Sequence, residues 1–221
     1  GNPSSTVPPR GTTRKRAREP PVDLLASGIF AGHYINTVSP TFLREIADGH
    51  HAFVPPQVQY EMKCKLDAGC AAGILNAPAS SYNPASDPHI DRHYNAQTHA
   101  DGKRANKLAL QEKLGLDINP DAPMLFWPSR LDPVQKGPQL LTDILYQTLD
   151  RYWDDGLQVV VVANGEYQKP MRDILQFHDL YARMAVCDFA EPLSRLGYAA
   201  ADFVLMPSLF EPCGLPQMVG M

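Results

Sequence analysis

Four short apolar runs, each followed by a helix-forming segment, constrain the fold of this chain more than any other feature. The second run has four consecutive valines at 159–162, with no polar residue to face water. A strand that is apolar on both sides suits a parallel sheet with helices covering both faces. The alternation therefore predicts an α/β fold with a Rossmann-like, doubly wound parallel sheet. The predicted strands are 124–128, 158–163, 184–188 and 202–206, and the predicted helices between them are 137–153, 169–178 and 192–200.

The first 101 residues lack this alternation. Residues 1–21 are rich in Pro, Ser and Thr and contain a basic run at 14–18, which predicts a disordered tail or surface loop; the alternative is a nuclear signal or nucleic-acid patch. We expect a first region at 22–101 and a C-terminal sheet domain at 102–221. The elements predicted before that domain are helices at 22–33, 40–47 and 57–67, strands at 34–39 and 72–76, the latter buried, and an irregular linker at 87–101. A helix is predicted at 103–115, with Leu108, Leu110 and Leu114 on its apolar side.

Composition excludes several classes of function. The net charge of −4 gives no general attraction to nucleic acid or to an anionic membrane, and no apolar run approaches the roughly 18 residues needed to cross a bilayer. The four cysteines have no C-x-x-C spacing, which is typical of reduced thiols and favours a cytoplasmic protein. His89 and His93 stand four apart, as a metal pair on a helix would, but no third ligand is evident and surface histidines are the favoured interpretation.

A Pro- and Gly-rich turn follows the last apolar run and leads into a second helix-compatible segment. The first amides of a helix lack backbone partners and carry the positive end of its dipole, so such a turn can cradle a phosphate. Glu211 stands at the mouth of this turn, where it could bind a hydroxyl of the phosphate-bearing ligand. The alternative is a capped turn in which Cys213 is a small buried residue.

Two other turns are expected at the same edge of the sheet, because the carboxyl ends of parallel strands meet there and bind ligands in open α/β sheets. The first carries Arg130 and Lys136, a pair suited to holding a diphosphate, although a solvated basic loop would look the same. The second carries Asn164 and Gly165.

Several segments, in the correct order, resemble bacterial glycogen synthases and plant starch synthases. They are INTVSPTFLREI at 35–46, GILN at 73–76, KRANKLALQEKLGL at 103–116, SRL-x-x-x-QKG at 129–137 and FEPCGL-x-Q at 210–217. The resemblance implies two Rossmann-like domains facing a cleft, the glycosyltransferase B fold. It identifies residues 102–221 as an incomplete nucleotide-sugar-binding domain, preceded by the last piece of an N-terminal domain, and so indicates a fragment.

The resemblance also implies an activity, the transfer of glucose from ADP-glucose to the 4-hydroxyl of an α-1,4-glucan with retention of configuration. By the family's motifs Arg130 and Lys136 bind the leaving diphosphate, Glu211 contacts the donor glucose, and neither a metal nor a cofactor is needed. The absence of any Asp-x-Asp pair agrees with neutralisation by these two cations. The residues implied to contact the nucleotide sugar are Cys213, Gly214 and Leu215 in the turn, Asn164 and Gly165, and Phe189, which either stacks on the nucleobase or is a core aromatic.

Three departures from the family pattern motivate an alternative. Val134 is an extra residue between the arginine and the lysine, Ala77 replaces a glycine after Asn76, and Pro216 lacks an N–H where many members have Thr. The alternative is a non-catalytic relative that binds nucleotide sugar or glucan, or that serves as an assembly partner. For the enzyme we expect Glu211 to act on the sugar, contributing at most about 1 kcal/mol to stability through the helix dipole.

Overall fold

The computed structural model describes residues 22–221, and their contacts separate two compact units. The described part of the first unit comprises residues 22–36 and 43–72, and the second comprises 37–42 and 73–221. The basic run at 14–18 lies outside the described residues. The division predicted at residue 101 stays a prediction, although the whole predicted sheet domain lies within the second unit.

The N-terminal elements follow the predicted pattern. Asp23 begins the first helix by accepting a hydrogen bond from the Ala26 N–H (3.0 Å), and Lys65 donates to the Gly32 carbonyl (2.6 Å) beyond that helix's end. The strand at 72–76 was predicted to be buried, which is wrong: Ile74 is 58% exposed because its strand pairs with one other strand only. The elements are α1 (Leu24–Ala31), β1 (Ile35–Val38), α2 (Pro40–Ala47), α3 (Pro56–Asp67) and β2 (Ala71–Ile74), which pairs with β1.

Helix α4 (His99–Leu114) begins four residues before the predicted start, so the predicted irregular linker is too long. Asn95 Oδ1 accepts hydrogen bonds from the N–H groups of Gln97 (2.9 Å) and Thr98 (3.1 Å), and the turn that they form directly precedes the helix. The predicted apolar face is also incomplete. Leu110 is buried, but it shares the inner face with three polar side chains that find partners there, Asn106, Lys107 and Gln111.

Four parallel strands form the sheet of the second unit, in the order β5-β4-β3-β6. The predicted strands and helices are all present, but the last strand is shorter than predicted, because only two of its residues pair with β3. The strands are β3 (Met124–Trp127), β4 (Gln158–Val162), β5 (Met184–Cys187) and β6 (Phe203–Val204); the helices are α5 (Pro138–Arg151), α6 (Gln168–Phe177), α7 (Glu191–Ala200) and α8 (Leu215–Gly220).

The valines of β4 divide the core into two layers. Val159 and Val161 pack in the cluster that contains the inner residues of α5 and α6. Val160 and Val162 pack in the cluster formed with α4 and α7. All four are at most 1% exposed, which confirms the prediction of a sheet covered on both faces.

The strand order reverses at β3. The chain runs from β3 outward through β4 to β5 and then returns to the other side of β3 to form β6. The loops that leave β3 and β6 are therefore neighbours at this edge of the sheet, and we call the region beyond the carboxyl ends of these two strands the crevice. In open α/β sheets this is the position at which ligands bind.

Candidate functional site

Two loops flank this crevice, the β3 loop (residues 128–137) and the β6 turn (residues 205–214). The Leu209 N–H donates to the Gln135 carbonyl at 2.8 Å, which joins the two backbones. Gly137 adopts the left-handed conformation (φ 64°), and a Cβ on it would lie 2.2 Å from the Pro207 carbonyl oxygen. Only glycine therefore allows the two loops to approach this closely.

The two loops meet in an ion pair. Lys136 Nζ lies 2.5 Å from Glu211 Oε1, and the two side chains are only 11% and 21% exposed. Ser208 Oγ donates to the same oxygen at 2.6 Å. Among the described residues, no other side chain or backbone group donates to Glu211. The structure therefore brings two of the three proposed catalytic residues into direct contact.

Asp132 accommodates the extra residue Val134 in the β3 loop. Its carboxylate accepts the N–H groups of Val134 (2.9 Å) and Gln135 (3.2 Å), and its carbonyl accepts the N–H of Lys136 (2.8 Å). These bonds close a turn that leaves Val134 64% exposed and directs the Lys136 side chain inward. The insertion thus projects into solvent and does not displace the lysine from the crevice.

Arg130 lies at the start of the β3 loop with an exposed side chain. The loop leaves the strand in a fixed direction because Trp127 Nε1 donates to the Ser129 carbonyl at 2.6 Å. The Arg130 guanidinium makes no hydrogen bond or ion pair with the other described residues, so its five donors remain available to a ligand.

Asn164 connects the loops that follow three neighbouring strands. Its carbonyl accepts the Leu131 N–H at 3.1 Å, and its Oδ1 accepts the Phe189 N–H at 2.9 Å. Gly165 packs closely against the β3 loop, since a Cβ on it would lie 2.9 Å from the Leu131 carbonyl oxygen. Phe189 is 49% exposed, so the alternative interpretation of this residue as a core aromatic is wrong.

A carboxylate stands beside Phe189. Hydrogen bonds from Arg172 (2.9 Å) and Gln168 (2.7 Å) lower the pKa of Asp188 from its ordinary value. Burial raises the pKa of the neighbouring Cys187 thiol. At neutral pH the Asp188 carboxylate is therefore ionised and paired with Arg172, next to a neutral thiol.

Gly214 begins α8 in the left-handed conformation (φ 71°), and no side chain caps the helix. The N-terminus of α5, which follows Lys136 and Gly137, also lacks a side-chain cap. Cys213 is half-buried and its Sγ donates to the Asn76 carbonyl (3.6 Å), so it is more than a space-filling residue. Leu215 is 37% exposed at the first helical position of α8.

The two histidines do not form a metal pair on a helix. His93 Nε2 lies 2.8 Å from the Asp87 carbonyl oxygen, and no helix spans positions 89–93. Within residues 22–221 no group of three or more His, Cys, Asp or Glu side chains could hold a metal ion. Over the same range, no helix has the length and apolar character needed to cross a membrane.

Sequence reasoning missed Ser208 and Asp132 as site residues. Ser208 stands three residues before Glu211, a spacing that allows a hydroxyl to reach the carboxylate across one turn. Asp132 precedes Pro133, and Asp before a proline is a common start of a turn. Both signals were present in the sequence, but neither is specific without the fold.

Comparisons with known proteins agree with this architecture. The structure superimposes on the catalytic domain of starch synthase IV from Arabidopsis thaliana, bound to ADP and acarbose, with a TM-score of 0.73, 31% identity and coverage of 89% of this chain and 39% of that one. The glycogen synthase of Bacillus licheniformis is 36% identical over 212 residues, which is 95% of this chain and 42% of that protein. Granule-bound starch synthase 1 of Arabidopsis thaliana is 32% identical over 90% of this chain and 31% of its own length. No family model matches.

The fold is thus that of part of a glycosyltransferase B catalytic domain, its incomplete Rossmann-like C-terminal domain, in agreement with the predicted fold class. More particularly, the chain is a homologue of glycogen and starch synthases over nearly its whole length. It spans about two fifths of the length of the curated glycogen synthases that it matches.

Proposed function

We propose that this chain provides the nucleotide-sugar-binding part of a retaining glucosyltransferase of the glycogen and starch synthase type. The reaction is the transfer of glucose from ADP-glucose to the 4-hydroxyl of an α-1,4-glucan. One observation carries the proposal: Arg130, Lys136 and Glu211 lie on the two loops that flank the crevice at the strand-order reversal. Homology to glycogen and starch synthases supports the choice of donor and acceptor.

In this proposal Arg130 and Lys136 stabilise the leaving diphosphate. Negative charge accumulates on the phosphate as the bond to glucose breaks and the sugar gains oxocarbenium character. Cations that are already in position stabilise this transition state more than the ground state. These two cations supply the neutralisation that a divalent metal would otherwise provide, so we propose that no metal or cofactor is required.

The remaining predicted residues have supporting roles in this proposal. Phe189, exposed at the end of β5, stacks on the nucleobase. Asn164 and Gly165 hold the neighbouring loops in place, while Gly214 and Cys213 shape the turn from which the Leu215 amide donates to phosphate. Glu211 accepts hydrogen bonds from hydroxyl groups of the donor glucose.

Neither the contacts in the crevice nor the comparisons favour the non-catalytic alternative. One of its three motivations was the Val134 insertion, and that residue is 64% exposed while Lys136 still contacts Glu211 in the crevice. A cytoplasmic location and an α-glucan acceptor remain part of the proposal.

Isothermal titration of the 221-residue polypeptide with ADP tests the donor half of the proposal. We expect saturable binding that Arg130→Ala weakens by at least about tenfold, the effect of losing a bidentate charged contact. Arg92→Ala is the matched control, because Arg92 is also exposed but lies outside the crevice. Absence of ADP binding, or equal losses in the two variants, would refute the assignment.

The transferase half needs a longer polypeptide that contains this chain at a length similar to the relatives. Transfer of radiolabelled glucose from ADP-glucose to glycogen is the measurement. ADP binding without transfer by such a protein would favour the non-catalytic relative.

A further inference from the structure

We propose that Ser208 is a positioning residue that orients the Glu211 carboxylate toward the donor sugar. This inference rests on the proposed function and deepens it, because it assigns a role to a residue that does not itself contact the ligand. The observation behind it is that Ser208 Oγ and Lys136 Nζ both end on Oε1 of Glu211, at 2.6 and 2.5 Å.

This arrangement gives the two carboxylate oxygens of Glu211 different roles. Oε1 receives both protein donors, whereas Oε2 receives none from the described residues. A glutamate that is ordered in one orientation loses side-chain freedom, at a free-energy cost of up to about 2 kcal/mol. Two donors on one oxygen offset this cost and leave the second oxygen to accept a sugar hydroxyl.

Ser208 and Lys136 are not equivalent donors. In the proposed function the Lys136 ammonium binds the diphosphate, so its contact with Glu211 weakens when the donor arrives. Ser208 is neutral, and its one proton already points to Glu211, so phosphate does not compete for it in the same way. Ser208 is therefore the donor that keeps Glu211 oriented in the ligand-bound state.

The surrounding backbone holds Ser208 in position. The next residue, Leu209, donates its N–H to the Gln135 carbonyl, and the preceding residue, Pro207, packs its carbonyl against Gly137. Both contacts join the β6 turn to the β3 loop on either side of Ser208. The serine hydroxyl therefore projects from a fixed backbone, as a positioning group requires.

The experiment measures how much the glucose moiety adds to binding. Dissociation constants for ADP and for ADP-glucose are determined by titration calorimetry on the 221-residue polypeptide. The ratio of the ADP constant to the ADP-glucose constant gives the contribution of the sugar to binding. We expect Ser208→Ala to lower this ratio by roughly three- to tenfold, the range for losing one typical hydrogen bond, with the ADP constant within about twofold of wild type. Ser208→Thr, which keeps the hydroxyl, should restore the ratio.

Ser27→Ala is the control for removing a serine hydroxyl, since Ser27 Oγ donates to the Asp23 carbonyl (2.8 Å) in α1. A purely structural role for Ser208 would lower the melting temperature and weaken ADP and ADP-glucose equally. Unchanged ratios in Ser208→Ala, or a failure of Ser208→Thr to rescue, would overturn the inference alone. A wild-type chain that binds neither ligand would overturn the proposed function and this inference together.

Discussion

Neutralising Glu211 should strengthen ADP binding, and this prediction follows from the ion pair in the crevice. Lys136 is held by Glu211, so a diphosphate must compete with a carboxylate for the ammonium group. Glu211 also repels the phosphate charges directly. Both effects disappear in Glu211→Gln, which keeps the size of the side chain and its ability to accept a hydrogen bond from Ser208.

The magnitude follows from the partial burial of the pair. Exposed ion pairs contribute at most about 1 kcal/mol, whereas breaking a fully buried pair costs about 3–5 kcal/mol. With side chains 11% and 21% exposed, the contact between Lys136 and Glu211 lies between these limits. If ADP must displace about 1–2 kcal/mol of this interaction, Glu211→Gln should bind ADP about five- to thirtyfold more tightly. The same substitution should destabilise the fold by about 1–2 kcal/mol, more than the helix dipole alone would suggest.

A double-mutant cycle separates the two causes. ADP titrations are made on wild type, Glu211→Gln, Lys136→Met and the double variant at one ionic strength. Loss of competition requires Lys136, so the gain from Glu211→Gln should shrink at least about threefold in the Lys136→Met background. Glu191→Gln is the control, because Glu191 forms a comparable pair with Arg195 (2.7 Å) outside the crevice and should leave ADP affinity within about twofold of wild type. Unchanged or weaker ADP binding by Glu211→Gln would refute the competition argument.

Three further predictions concern the same loops. Arg130→Lys keeps the charge but loses the planar fork, so we expect ADP affinity to fall by at least about fivefold with no change in melting temperature; equal affinity would mean that Arg130 is a surface charge. Gly137→Ala should destabilise the protein by about 2–4 kcal/mol in thermal melting, because the added Cβ meets the Pro207 carbonyl. Gly115 has a similar φ of 69° but open space around it, so Gly115→Ala should cost only about 1 kcal/mol. Equal losses of stability in the two variants would contradict the close approach of the loops. The 221-residue polypeptide alone should transfer no glucose from ADP-glucose to glycogen, since its relatives use a much longer chain, and turnover comparable to theirs would show that this length suffices.

The sheet could be predicted from the sequence because its strands are apolar on both sides. Runs such as 159–162 leave few alternatives, and the predicted strand positions agree with the structure to within one or two residues, except for the shorter β6. Helix α4 was harder, because its inner face is partly polar. Gln111 is fully buried, yet its amide donates to the Asn119 carbonyl (2.7 Å) just beyond the helix and to Gln158 (2.8 Å), which is 47 residues away in the chain. No periodicity of apolar residues can indicate such a face.

The site was predictable as a region but not as a set of contacts. Placing Arg130, Lys136 and Glu211 at one edge of the sheet needed only the parallel topology and the motifs. The pairing of Lys136 with Glu211 depends on the direction that the Asp132 turn gives to the lysine side chain and on how closely Gly137 approaches Pro207. Those are distances between segments about 75 residues apart, and local sequence does not encode them.

The shortness of β6 gives the two sides of the crevice different resistance to local opening. The β3 loop continues from a central strand that is paired on both sides, whereas the β6 turn follows a strand with two paired residues at the edge of the sheet that residues 22–221 form. Segments with few backbone hydrogen bonds open at lower free energy than the core of a sheet. Amide protons at Val204 and Leu205 should therefore exchange with solvent before those of Phe126 and Val160. Glu211 and Ser208 would then detach from the crevice while the rest of the sheet stays folded. ADP replaces the contact between Lys136 and Glu211 with a phosphate that binds both Lys136 and the Leu215 amide, so it should slow that exchange.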